Sequence, residues 1–214
     1  MNFCVLNLSF LSLMNNSSIM KTKELIKEKT WCLLLEKGYD GVSVSDICKA
    51  TEMARGLLYH YFRNKEDLFG EIVQDVFIRY YQLDRDVLKA NAIGEMIVFA
   101  SRFLTDIFQG LPAGAGRQLT VADGFLLLYQ AAEHDEAFAR QLKKNKEDWF
   151  AVWKTALLNS FAKGELRSGL NMESVARHFV YIVQGGIIAT TKEGQDTVYE
   201  IEKGLWEFFE IIKR

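Results

Sequence analysis

Apolar positions recur with helical spacing along nearly the whole chain. Between Lys21 and Lys37, Ile26, Thr30, Leu33 and Leu34 fall at i, i+4, i+7 and i+8, with lysines and glutamates opposite. This spacing predicts an amphipathic helix. Gly38 ends it and Tyr39-Asp40-Gly41 turns the chain. A second helix is predicted over Val44–Thr51, with Ser43 as N-cap, Asp46 in the first turn, and Val44, Ile47 and Cys48 on its inner face. After Glu52-Met53 comes a third, from about Ala54 to Tyr61, in which the i, i+4 pair Leu58 and Phe62 faces inward. Phe62-Arg63-Asn64 breaks the pattern, and a fourth helix starts at Lys65, capped by Asn64, and runs past Phe77.

Later segments repeat the pattern. Helices are predicted at Ala92–Gln109, Val121–Glu133, Asp135–Lys163, Met172–Thr191 and Asp196–Lys213. The chain holds one proline, Pro112, where average usage of about 5 % would give roughly eleven. It lies in Gly110–Gly116, which lacks the lysine frame of a phosphate loop and reads as a connector. Gly164 to Gly169 brackets another turn. An all-α fold is expected, with 49 % hydrophobic residues available for its core.

The first twenty residues are apolar from Phe3 to Leu13, but lack a basic n-region and a small-residue cleavage site. The run is also shorter than the roughly 20 residues that span a bilayer. Residues 1–20 are read as a flexible extension, or as sequence upstream of a start at Met14 or Met20. Cys4, Cys32 and Cys48 form no CxxC pair and read as reduced thiols of a cytoplasmic protein. His60, His134 and His178 have no metal-ligand spacing, so neither metal nor cofactor is expected. Glu133-His134-Asp135 is not a catalytic set, because adjacent helical residues do not face each other. No nucleophile accompanies it, and an enzyme is not expected.

Net charge is −2, unevenly spread. Residues 21–65 carry nine basic and six acidic groups, a surplus of three positive charges, whereas 66–214 carry 17 and 22. A mildly basic small part before an acidic larger one suggests two tasks on one chain.

Two short helices joined by a tight turn behind a supporting helix make a helix-turn-helix arrangement. The run GYDGVSVSDICKATEMARGLLYHYFRNKEDLF, Gly38 to Phe69, resembles the DNA-binding signature of the TetR family of bacterial repressors. The resemblance extends from about Ile26 to Val73. It includes the glycine–aromatic turn, Ser-x-x-Asp-Ile, Gly56, Leu-Tyr, Tyr61-Phe62 and Lys65-Glu66. It implies a three-helix DNA-binding domain at 21–70 and a helical effector-binding and dimerisation domain at 71–214. The sequence departs from the family at Ala54, where a capping Ser or Thr is usual, and at Leu57, which cannot hydrogen-bond a base.

The third helix is expected in the major groove of an operator. Arg55 is the candidate for forked contact to guanine or for a phosphate, Gly56 for close backbone approach, and Leu57 for a thymine methyl. Tyr59 and Tyr61 resemble the family's phosphate-binding aromatic positions, and His60 is a base or phosphate candidate. Lys65 at a helix start is expected on a phosphate, as are Ser43 and Ser45, with local capping an equal alternative for Ser43.

In the larger part, Phe179, Val183, Gly186 and Ile187 with Leu205, Phe208, Phe209 and Ile212 are expected to form a homodimer interface, although an intramolecular core explains the same stripe. The family resemblance implies an effector cavity, for which Phe103, Phe108, Phe125, Tyr129, Trp149, Trp153 and Tyr181 are the candidates. Few cations accompany them, so a largely apolar effector is expected. The function implied is a regulator, and most directly a repressor, released from a palindromic DNA operator by a small molecule. The alternative is an effector-independent dimer or an activator of the same fold. No membrane partner is expected.

Overall fold

The computed structural model describes residues 18–80, 92–110, 120–189 and 194–214. Among these are nine helices and no strand: α1 Ser18–Lys37, α2 Val44–Thr51, α3 Arg55–Tyr61, α4 Lys65–Tyr80, α5 Ile93–Gly110, α6 Val121–His134, α7 Glu136–Ala162, α8 Met172–Ala189 and α9 Gly194–Ile212. The all-α expectation holds. None of the described helices is long and apolar enough to cross a membrane. Pro112 and its connector lie outside the described residues.

Helix ends follow local chemistry. Ser43 caps α2 through a capping box with Asp46, and Thr120 caps α6 in the same way with Asp123. Asn64 Oδ1 accepts from Asp67 N at 2.7 Å and starts α4 as expected. Asp135 Oδ1 accepts from Ala137 N and Phe138 N, so it caps α7 from just outside. Two expectations need correction. Helix α1 begins at Ser18, inside the segment assigned to a loose extension, because nothing between Ser18 and Lys23 breaks a helix. Helix α4 runs unbroken through position 70, so a domain boundary there would cut a helix.

Helices α1–α4 group with α6 into one compact unit, and α5, α8, α9 and α7 from Arg140 onward into a second. In the first unit α1 packs on α2, α4 and α6. Its core includes Ile26, Leu34, Ile47, Leu58, Phe62, Leu68 and Phe77, all buried. Lys23 pairs with Glu71 at 2.7 Å and Lys27 with Asp75 at 2.6 Å, two rungs between α1 and α4. Cys48 is a free, half-buried thiol. Cys32 is buried.

The second unit is centred on aromatic packing. Trp153, 1 % exposed, stacks on Phe179 with ring centroids 5.0 Å apart, and Phe208 meets Phe179 edge-on at 4.9 Å. Ser160 Oγ, fully buried, accepts from Ile93 N and so caps α5. The α7–α8 turn is tied to the end of α9 by Arg167 N to Ile212 O and Arg214 N to Glu165 O.

This packing corrects the expected dimer face. Phe179, Ile187, Leu205, Phe209 and Ile212 are all buried within one chain, so they have almost no surface left for a partner. Gly186 faces Ile201, which a Cβ would strike, so its small size serves α8–α9 contact inside the chain. Val183 and Phe208 are half-buried. The outward residues are Tyr181, Gly185 and Ile188 on α8, with Tyr199 and Ile211 on α9.

Candidate nucleic-acid interface

A seven-residue helix has little capacity to hold itself, so α3 depends on its packing. Leu58 and Phe62, 3 % and 2 % exposed, hold it to the core. Arg55, Gly56, Leu57, Tyr59 and His60 are exposed, and Tyr61 is half-buried. Leu57 and Tyr59 are large apolar side chains left 44 % and 46 % exposed. Gly56 has no atom within 4 Å of a Cβ placed on it, so helix crossing does not explain its small size. Ala54 stands at the N-cap with no side-chain capping bond. The α2–α3 turn is made by Glu52 in the left-handed region, φ 56°.

Ser43 and Ser45 are exposed at the start of α2. The Ser43 hydroxyl accepts from Asp46 N and also donates to the Asp46 carboxylate. Those bonds and the Lys37 ammonium at 3.2 Å hold the Asp46 carboxyl well below the usual range. Local capping therefore occupies Ser43, while Ser45 projects outward.

Lys65 is placed differently from a freely projecting phosphate ligand. Its ammonium donates to Tyr39 O at 2.7 Å and Val42 O at 2.9 Å, and lies 4.0 Å from the centre of the Tyr39 ring. An ammonium has three donors, so one remains for an external acceptor. Tyr39 is the hub of this corner. Its hydroxyl donates to Glu66 Oε1 at 3.0 Å, its N–H donates to Gln130 Oε1 at 3.3 Å, and its ring meets Phe69 and His134 at 4.4 and 5.2 Å. Burial, and then the Glu66 carboxylate, push the Tyr39 phenol up to about 12. Glu66 is held below the usual carboxylate range by a backbone N–H at the start of α4 and by the Tyr39 hydroxyl. The amphipathic pattern nominated Tyr39 only as a turn residue; its pairing with Gln130 spans 91 positions and leaves no local signal.

The expected effector contacts are divided between the two units. Phe103 and Trp149 meet at 5.0 Å, with Phe99 beside them, in the second unit. Trp153 is buried in its stack with Phe179, and Tyr181 is 59 % exposed on the outer side of α8. Phe125 and Tyr129 belong to α6 in the first unit, and the Phe108 side chain lies outside the described residues. A cleft of about 550 Å³ in the second unit is lined by Gly94, Glu95, Glu165, Trp206 and Phe209 among others, none of them an expected contact. No His, Cys, Asp and Glu group among the described residues could hold a metal ion.

A family model described as "Bacterial regulatory proteins, tetR family" matches residues 26–72, which span α1 from Ile26 to the middle of α4. The chain is 23 % identical over 166 residues to the HTH-type transcriptional repressor DhaR of Mycobacterium sp. (strain GP1), covering 78 % of this chain and 80 % of that one. It is 34 % identical over 86 residues to IcaR of Staphylococcus epidermidis, the HTH-type negative transcriptional regulator of the biofilm operon icaADBC, covering 40 % and 46 % of the two chains. The solved structure of a TetR transcription regulator from Haloarcula marismortui superposes with a TM-score of 0.64 at 15 % identity, over 91 % of this chain and all of that one. These relatives are regulators of transcription.

Proposed function

We propose, from the premise that the chain belongs to the TetR family of bacterial transcriptional regulators, that it is a homodimeric cytoplasmic repressor which leaves a palindromic operator when a small, largely apolar effector binds. The observation that carries the DNA-binding part is the outer surface of α3. Five residues there are exposed, two of them bulky and apolar, around a glycine with no neighbour inside the chain. That surface fits the major groove, where Leu57 suits a thymine methyl and Arg55 a guanine edge. Tyr59, Tyr61, Ser45 and the spare donor of Lys65 suit flanking phosphates.

A single head reads one half-site, and two-fold pairing of chains doubles the contact. The outward apolar residues Tyr181 and Ile188 of α8, with Tyr199 and Ile211 of α9, support such pairing by a second copy. An effector acts by linkage: it releases the operator only to the extent that it binds the DNA-incompetent geometry better. Moving the heads from mostly bound to mostly free takes a differential affinity of about 5 kcal/mol.

Selection of bound duplexes from a random pool tests the reading. The expected result is an inverted repeat with half-sites one helical turn apart or a multiple of it. Recovery of no enriched sequence would overturn it. Light scattering at micromolar concentration is expected to give twice the chain mass. Compounds that raise the melting temperature are expected to release the selected duplex.

A further inference from the structure

Helix α3 is short enough for its outward line to be located residue by residue. Successive side chains step about 100° around a helix, so with Leu58 pointing inward, Gly56 and His60 fall about 160° and 200° away. They straddle the line opposite the core. Leu57 and Tyr59 flank them, Phe62 lies near the Leu58 side, and Arg55 in the first turn is exposed although its angle brings it towards that side. The other exposures follow the wheel, from the buried Leu58 and Phe62 through the half-buried Tyr61 to the exposed Gly56 and His60.

His60 therefore occupies the centre of the face that enters a groove, one turn after a glycine that leaves the backbone bare. Its ring meets Tyr61 edge-on at 5.4 Å, and its nitrogens have no hydrogen-bond or ion-pair partner among the described residues. The charged groups on adjoining elements are Asp46 and Lys49 of α2, Glu52 at the α2 cap, Arg55 of α3, Arg63 beyond it, and Lys65, Glu66 and Asp67 at the start of α4. Asp46 is engaged by Ser43 and Lys37, Lys65 by the Tyr39 and Val42 carbonyls, Glu66 by the Tyr39 hydroxyl and Asp67 by the Arg63 and Asn64 region.

We infer that His60 is a proton-dependent DNA contact at the centre of the reading edge, which tightens operator binding as pH falls. The inference rests on the DNA-binding reading above. Neutral imidazole offers one donor and one acceptor, whereas the protonated ring offers two donors and a positive charge. Imidazole is the side chain whose ordinary titration lies between about pH 5 and 8. A duplex surrounds the ring with phosphate charge, which favours the second proton, so complex formation takes up protons and must strengthen at lower pH.

Anisotropy titrations of the full chain with its selected duplex, at fixed salt and at about pH 6 and pH 8, test this. Wild-type affinity is expected to be roughly tenfold higher at the lower pH. His60→Gln is expected to abolish the difference, and His60→Arg to bind tightly at both values. His178→Gln, on α8 in the other unit, is expected to keep it. Equal wild-type affinity at the two values, or a difference that survives His60→Gln, overturns the inference and leaves the DNA-binding reading standing. Absence of selective duplex binding at every pH overturns both. Circular dichroism at each pH confirms that the variants remain folded.

Discussion

In α3 and in the α8–α9 pair, side chains of similar character end on opposite sides of the surface. Leu57, Tyr59 and His60 stand exposed on α3, while Phe179, Leu205 and Phe209 are buried between α8, α9 and α7. The difference lies in what each helix can pack against. Helix α3 has seven residues and uses Leu58 and Phe62 as anchors, so its other large groups have no core to enter. Helices α8 and α9 have 18 and 19 residues and one broad apolar stripe each, and two such stripes bury each other first. A surplus of large groups beyond the anchoring pair marks an external surface; a regular stripe marks a core, and a partner meets what lies on the other side.

The strongest way to break this contrast is to truncate Phe179. Its ring is fully buried between Trp153 and Phe208, so Phe179→Ala should cost about 3–5 kcal/mol in urea unfolding. Ile188→Ala, 73 % exposed in the single chain, should leave unfolding of the dilute chain nearly unchanged and weaken self-association in light scattering. If Phe179→Ala instead stayed stable and dissociated a dimer, the buried stripe would be the interface after all.

A second difference is polar against apolar anchoring. The first unit fixes its α1–α2 corner through Tyr39, whose phenol is pushed up from 10 to about 12. A raised phenol means that the fold prefers the neutral form. Its contribution is complete below about pH 10 and is lost as pH rises from there towards 12. At about 1.4 kcal/mol for each unit, roughly 2–3 kcal/mol is at stake. The unfolding free energy of Tyr39→Phe, from denaturant titration, should fall by about 1 kcal/mol at neutral pH, through loss of the bond to Glu66, and decline less steeply above pH 10. An alkaline slope identical to wild type would remove Tyr39 as its source.

The head itself separates reading from holding. Arg55→Ala should lower affinity for the selected duplex by about 1–3 kcal/mol, relax preference at one base step, and leave stability unchanged. Lys65→Ala should weaken binding to all sequences and reduce the salt slope. Because its ammonium also holds the Tyr39 and Val42 carbonyls, it should in addition lower stability by about 1–2 kcal/mol. Paired duplex titrations and thermal melts distinguish the two residues.

The sequence made the helices legible because each carries its period, caps and breakers locally: Ser43, Asn64 and Gly38 do in the structure what their positions suggest. The anchors of α3 were legible for the same reason. What could not be read was pairing at a distance. Nothing near Tyr39 announces Gln130, and nothing in the Phe179 stripe says whether its partner is α9 or a second chain. Aromatic residues at helical spacing are likewise interchangeable on paper, and only the structure shows that Trp153 is buried while Tyr181 faces outward.

Adjacent glycines on α8 give the smallest and sharpest test. Residues one apart on a helix differ by about 100° in direction, so Gly185 and Gly186 answer to different surroundings. A methyl at Gly185 meets nothing within 4 Å, whereas one at Gly186 runs into the Ile201 side chain. Each substitution by alanine gains up to about 1 kcal/mol of helix propensity. At Gly185 that gain should appear whole in the dilute chain. At Gly186 it is set against overpacking of about 1–3 kcal/mol, for a net loss near 1 kcal/mol. Self-association reverses the weighting. Gly185 lies on the outward face with Tyr181 and Ile188, so its alanine variant should pair less readily while Gly186→Ala pairs as before. Opposite signs in stability together with a loss of pairing at Gly185 alone are what two sides of one helix require; matching effects at the two positions would mean that α8 has no such division.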